Sequence, residues 1–292
     1  MTGPPLLLHR AENGVLKPRV SFSMHPRWAH GDGLRPFLDP LHQAGLRALE
    51  FELDANDGMW PLFEPLLQDS KSLGYELCFH APYRPPHSIA GFSGRARGRI
   101  QSEQSPMFEL AARYGPAHLV VHGARSEAGP KRRLLEDTVS FLEWVLSAYP
   151  NLSLGIENSC PQAGVHKIGE ENSDLTRVLE QLVHPRLGIC WDIGHQVKAG
   201  RLELPPMGWL GQVRHVHIHD LDTTGQDHVP FLFGRVDPEY WLPPLARARF
   251  GGIVTVELNG QRCSFLWPDR IVPALIASVE LVAHALKGDD RT

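Results

Sequence analysis

Eight short runs of β-branched and apolar residues recur along this chain, each followed by a longer amphipathic stretch or a stand-in for one, with Gly, Pro or Asn at the junctions. The strand candidates are Arg19–Met24, Leu46–Leu53, Tyr75–His80, His118–His122, Leu152–Glu157, Arg186–Asp192, Val213–Asp220 and Ile253–Leu258. Helical periodicity is expected over Leu34–Ala44, Trp60–Leu73, Gln101–Tyr114, Lys131–Ala148, Asp174–Leu182, Pro238–Ala248 and Asp269–Leu286. Parallel strands joined by helices demand right-handed crossovers, which an open doubly wound sheet also satisfies. The count of eight favours closure into a single (β/α)8 TIM barrel.

Composition narrows the class. The chain has 292 residues, 42% of them hydrophobic and 21% charged, which suits a globular enzyme and argues against disorder. A net charge of -4 lowers the expectation of nucleic acid as a partner. No G-x-G-x-x-G or G-K-[ST] motif occurs, so a nucleotide-binding domain is not expected. No run approaches the roughly 20 apolar residues that span a bilayer. The cysteines Cys78, Cys160, Cys190 and Cys263 form no C-x-x-C pair, a usage that fits a reducing cytoplasm. Residues 1–17 read as a flexible leader and 18–288 as the barrel domain.

The strand ends carry the chemistry. Six of the eight runs finish in a polar group: Cys78-Phe-His80, Val120-Val-His122, Gly155-Ile-Glu157-Asn158, Cys190-Trp-Asp192, His217-Ile-His219-Asp220 and Val256-Glu257-Leu-Asn259. In a barrel of this class the catalytic residues project from the C-terminal ends of the strands. Carboxylates from three strand ends would repel one another in a shared cavity unless a divalent cation neutralised them. Imidazole mixed with carboxylate suits Zn²⁺, Mn²⁺, Co²⁺ or Fe²⁺, and no cysteine is expected at the rim. His195 and His228 extend the group. His215, His217 and His219 alternate with apolar residues and face one way, so one or two can reach a metal. Trp60, Trp191, Trp209, Trp241 and Trp267 are candidates for stacking on a sugar ring, with core packing as the plainer use.

The ordered series His80-Ala-Pro-Tyr83, Val120-Val-His122-Gly, Ile156-Glu157-Asn158, Trp191-Asp192-x-x-His195, His217-x-x-Asp220, His228 and Glu257 resembles the xylose isomerase-like, endonuclease IV-like barrel superfamily. The resemblance runs from about residue 46 to 258. It implies a divalent metal (Mn²⁺, Zn²⁺, Co²⁺ or Mg²⁺) at the strand C-terminal face, one per chain or up to three.

Two branches of that superfamily bear on function. In sugar isomerases and epimerases one metal is held by a Glu, Asp, His, Glu set, which maps here onto Glu157, Asp192, His217 and Glu257. The resemblance implies a metal holding two adjacent oxygens of a ketose, a metal-stabilised enediolate, and Glu157 and Glu257 as acid and base. His195 and Arg84 are the expected substrate-binding residues. The other branch, the AP endonucleases, resembles endonuclease IV, a phosphodiesterase with three zinc ions. There His80, His122, His195 and His228 would serve additional metals, but position 226 is Gln and the acid is the adjacent Asp227. The Gly-x-His-x-Ser opening of that branch is also absent.

The loop from Arg84 to Arg99, with Arg95, Arg97 and Phe92, reads as a solvated, flexible lid, the alternative being a segment that grips DNA or phosphate. The leading expectation is a metal-dependent sugar or sugar phosphate isomerase or epimerase with a small-molecule sugar as partner; the alternative is a multi-zinc phosphodiesterase. Barrels of this kind often pair through their helical faces, so a homo-oligomer is expected as well.

Overall fold

Alternation along a parallel strand sends every second side chain inward, and eight such strands close when each tilts against the barrel axis. The computed structural model describes residues 17–24, 34–52, 60–83, 87–115, 117–266 and 270–287. Its strands are β1 (Arg19–Ser23), β2 (Leu46–Glu52), β3 (Glu76–His80), β4 (Ala117–His122), β5 (Arg125–Ser126), β6 (Leu152–Glu157), β7 (His166–Lys167), β8 (Leu187–Asp192), β9 (Val213–Ile218) and β10 (Ile253–Val256). All but β5 and β7 form the closed parallel barrel, in the order β1-β10-β9-β8-β6-β4-β3-β2. The expected (β/α)8 architecture is therefore present. The leader expected over residues 1–17 falls almost wholly outside the described residues.

The helices are α1 (Leu34–Gln43), α2 (Trp60–Ser72), α3 (Arg97–Arg113), α4 (Lys131–Ala148), α5 (Asn172–Gln181), α6 (Ile193–Lys198), α7 (Met207–Leu210), α8 (Pro238–Trp241), α9 (Pro243–Arg247) and α10 (Ile271–Lys287). The helix expected over Pro238–Ala248 splits at Leu242, because Pro243 and Pro244 offer no backbone N–H. The segment leading into α3 is solvated as expected at residues 93–95 and 97–99, but it is anchored by buried apolar side chains. Phe92 is buried edge-on against Phe141 at 5.3 Å, and Arg97 sits 5.2 Å over the Phe92 ring. Arg99 pairs with Glu103 one helical turn on. Ile89 and Phe92 are its buried apolar anchors, and Arg84 lies outside the described residues.

The main core fills the layer between barrel and helices with Leu, Ile, Val and Phe. Trp191 belongs to it, edge-on to Trp209 at 6.1 Å and Trp241 at 6.0 Å, with Nε1 donating to Gln196 Oε1 at 2.7 Å. These three tryptophans pack the core and none lines the cleft described below, which corrects their candidacy as sugar platforms. The Trp60 side chain and Trp267 lie outside the described residues. Inside the barrel, Ala48, Cys78 and Ile253 form a small separate apolar cluster, and a polar layer of Glu50, His215 and Thr255 is buried with them, the half-buried His118 stacking on His215. All four cysteines are free thiols. No described helix is long and apolar enough to cross a membrane.

Candidate metal centre

Each strand end delivers its side chain by a local device. Asp192 ends β8 and is at once the N-cap of α6, its Oδ1 accepting the His195 backbone N–H at 2.7 Å, so the turn that positions the carboxylate also positions His195. Asn158, one residue past β6, clamps β6 to β8: its Oδ1 accepts the Asp192 N–H at 2.7 Å and its Nδ2 donates to the Asp192 carbonyl at 2.8 Å. Gly194 lets the His219 imidazole lie against α6, since a Cβ there would overlap the ring. His228 sits at φ 58°, a left-handed conformation uncommon for a histidine, and its N–H donates to His219 Nδ1 at 3.0 Å.

Together these strand ends place ligand atoms of Glu157, Asp192, His217 and Glu257 within 4.8 Å of one another. Glu157 is the hub. One of its oxygens, Oε2, lies 3.2 Å from His80 Nε2 and 2.9 Å from His122 Nε2, while Oε1 lies 3.3 Å from His217 Nδ1. Glu257 Oε2 lies 3.2 Å from both His217 Nδ1 and His228 Nε2. His195 Nδ1 is 2.8 Å from Asp192 Oδ2. Of the nine residues expected at the site, the eight that are described lie together here, and Arg84 lies outside the described residues.

Charge at the centre is set by burial and pairing. Burial pushes the Asp192 carboxyl up, but His195 and His219 outweigh it and hold it down at about 2. Burial works against protonation of His80, yet the hydrogen bond and charge of Glu157 raise it to about 9. Glu157 and Glu257 are likewise held well below the usual carboxylate range, against burial, by His122 and His217 and by His228 and His217 respectively.

The donor set passes a test of fit for a cation. Asp192 Oδ2 and Glu257 Oε2 are buried oxygens met only by imidazole nitrogens, of His195 on the first and of His217 and His228 on the second. Three carboxylates share a space with one imidazole nitrogen, and oxygen with nitrogen donors in that number suit a hard or borderline divalent ion.

Sequence reasoning missed Glu50. It lies inside β2, fully buried, with its carboxylate 2.8 Å from His215 Nε2 and 3.0 Å from His217 Nε2. Thr255 Oγ1 donates to it at 3.1 Å. Burial pushes its carboxyl up, but His217 and His215 hold it far below the usual range. The signal was an acid between Leu49 and Phe51, on the same face as Ala48.

Two expectations need correction. Cys160 does occupy the rim, three residues past β6, with Sγ near ligand atoms of His195 and Asp227. It donates to the His195 carbonyl at 3.3 Å, and burial pushes the thiol up to about 12, so it stays protonated. Asp220, part of the family-like series, does not join the cluster. Its two oxygens accept backbone N–H groups from Leu221, Phe233, Gly234, Arg235 and Val236 at 2.7–3.0 Å and so staple the loop after β9.

No curated protein matches the chain. Solved structures match it closely in fold. A D-tagatose 3-epimerase-like protein superposes with TM-score 0.67 at 18% identity, covering 92% of this chain and 97% of the other. D-psicose 3-epimerase from Clostridium cellulolyticum H10 gives 0.63 at 12% identity, over 92% and 99%. The IOLI protein with a binding zinc atom gives 0.61 at 14% identity, over 91% and 96%. The family model described as xylose isomerase-like TIM barrel matches residues 38–280. On that match, most of the chain's length, this protein belongs to the xylose isomerase-like TIM-barrel family.

Proposed function

We propose that this protein is a divalent-metal-dependent sugar isomerase or epimerase. The observation that carries the reading is the convergence of Glu157, Asp192, His217 and Glu257. These four would hold the metal, which when bound polarises a substrate carbonyl and makes the adjacent C–H acidic. Glu157 ends β6 and Glu257 follows β10, and both are held ionised, as proton acceptors must be. The Glu257 side chain is 16% exposed against 1% for Glu157, so substrate reaches Glu257 first and we assign it the removal of the proton. Glu157 is assigned as its partner: it would take the proton of a substrate hydroxyl and return it to carbon, the proton on Glu257 passing to that oxygen. His195, fixed through Nδ1 to Asp192, lines the cleft and offers its other nitrogen to a substrate hydroxyl. The epimerases among the structural neighbours support a sugar as substrate.

A specific observation favours a second reading. Both oxygens of Glu157 have their own imidazoles, His80 and His122 on one and His217 on the other, as in a carboxylate bridging two metals. That is the arrangement expected of a multi-zinc phosphodiesterase. Against a third metal, Asp227 is neutralised by Lys198 at 2.7 Å and by Arg262.

Metal analysis of the purified protein, with turnover assayed on a panel of ketoses and on an abasic-site duplex, decides between them. One metal with ketose turnover supports the isomerase. Two or three metals with duplex cleavage and no ketose turnover sink it. His80→Ala is expected to leave ketose turnover within about threefold, because His80 lies outside the four-residue set. A loss of several hundredfold with folding intact would move the assignment to the hydrolase.

A further inference from the structure

A cleft of about 470 Å³ opens on the histidine side of the metal centre, a size typical of small-molecule sites. Its floor includes His122, His195 and His228, which contact Glu157, Asp192 and Glu257 respectively. The lining is also rich in cations, Arg125, Lys167, Lys198 and Arg262, and Asp227 is the one carboxylate among the lining residues. Asp227 is already engaged by Lys198 and Arg262. Among the described residues, no carboxylate lies within ion-pair distance of Arg125 or Lys167. Their acceptors are neutral, Gln162 Oε1 at 3.1 Å and the Cys160 carbonyl at 2.9 Å.

These two cations face each other. Strands β5 and β7 form a two-stranded antiparallel ribbon in which Arg125 pairs directly with Lys167. Like charges opposite one another across a ladder are destabilising, so this pairing works against the ribbon's own stability. The ribbon is nonetheless pinned in place. The Ile168 N–H donates to the Ala124 carbonyl at 3.0 Å, and a Cβ on Gly123 would run into the Ile168 backbone. Burial, with the charges of Arg125 and Lys198, holds the Lys167 ammonium below the usual lysine range, and Glu170 offsets this only in part.

We propose that Arg125 and Lys167 form an anion subsite that takes the phosphate or carboxylate of the sugar substrate, the reacting carbons lying at the other end of the cleft beside the metal centre. The sugar in this statement rests on the proposed isomerase or epimerase activity; the anion subsite does not. A guanidinium and an ammonium held at fixed spacing suit a phosphoryl or carboxylate group through charge-assisted hydrogen bonds. An anionic end gripped there supplies binding energy remote from the reacting carbons, which fixes their position at the centre. The cleft's volume favours a small molecule over a duplex.

Calorimetric titration of the metal-loaded full chain with inorganic phosphate and, separately, with acetate tests this without any turnover. One of the two is expected to bind, phosphate identifying a phosphorylated substrate and acetate a sugar acid. Arg125→Gln and Lys167→Gln should each weaken that binding about tenfold, and Lys167→Arg should restore most of it. Circular dichroism confirms that each variant is folded. The subsite is overturned if neither anion binds, if both Gln variants bind as the native protein does, or if an oligonucleotide binds while inorganic phosphate does not. Anion binding with no ketose turnover would leave the subsite standing and remove the isomerase reading; ketose turnover with no anion binding would do the reverse.

Discussion

The Glu50 carboxylate lies 3.0 Å from Nε2 of His217, reached from a strand that does not neighbour β9 in the barrel. A carboxylate at that distance accepts a hydrogen bond from Nε2–H and leaves Nδ1 as the nitrogen facing Glu157 and Glu257. An imidazole with its far nitrogen tied to a carboxylate is fixed in tautomer and orientation, as metal-ligating histidines are. Glu50 therefore positions His217 from below without entering the cluster.

Replacing Glu50 tests that relationship. Glu50→Gln keeps the volume and a carbonyl acceptor but removes the charge that fixes the imidazole. Zinc affinity, measured by competition with a chelator, is expected to fall about 10- to 100-fold with the fold intact. Unchanged affinity would mean that Glu50 serves the barrel interior alone.

Glu157→Gln is expected to remove both metal and turnover, because Glu157 contacts His80, His122 and His217 at once. The amide's N–H₂ would face nitrogens its parent carboxylate accepted from. Metal content and ketose turnover should fall together to background while circular dichroism is unchanged. Retention of stoichiometric metal by the variant would count against Glu157 as a ligand.

Asp220→Asn addresses the loop after β9. Both carboxylate oxygens accept backbone N–H groups, Oδ1 from Leu221, Arg235 and Val236, and Oδ2 from Phe233 and Gly234. An amide sets its own N–H₂ against one of these sets. The expected cost is about 2–3 kcal/mol in denaturant unfolding, with faster proteolytic nicking between residues 221 and 236. Native stability and native nicking would show that the loop is held by other contacts.

At Gly194, Ala is a small change in a crowded place. The added methyl overlaps the His219 imidazole, whose Nε2 lies 3.3 Å from Asp192 Oδ1. Either the ring or the turn after Asp192 must move, at about 1–3 kcal/mol. A lowered melting temperature with weakened metal binding is the expected pair of results. A variant that melts and binds like the native protein would show that the turn relaxes freely.

Much of this arrangement was legible in the chain. His80, His122, Glu157, Asp192 and Glu257 each close an apolar run, His217 lies in an alternating one, and a barrel's strand ends share one rim whatever the loops do. Glu50 escaped notice because it sits within a strand and not at its end, so the alternation that buries Ala48 and Glu50 also disguises the acid as part of the run. Cys160 escaped because three residues of loop bring it back over the rim. The ribbon of β5 and β7 escaped because two residues per strand carry no period.

The sequence by itself determined the barrel and the ring of polar groups on its rim, because strand and helix periodicities are local and parallel strands must close or stack. Only the tertiary structure decided which nitrogen of His217 faces the carboxylates, that Asp220 staples a loop, and that Arg125 stands opposite Lys167 beside the cleft. Those are matters of distance between residues far apart in the chain, up to 167 positions for Glu50 and His217, and no local pattern encodes them.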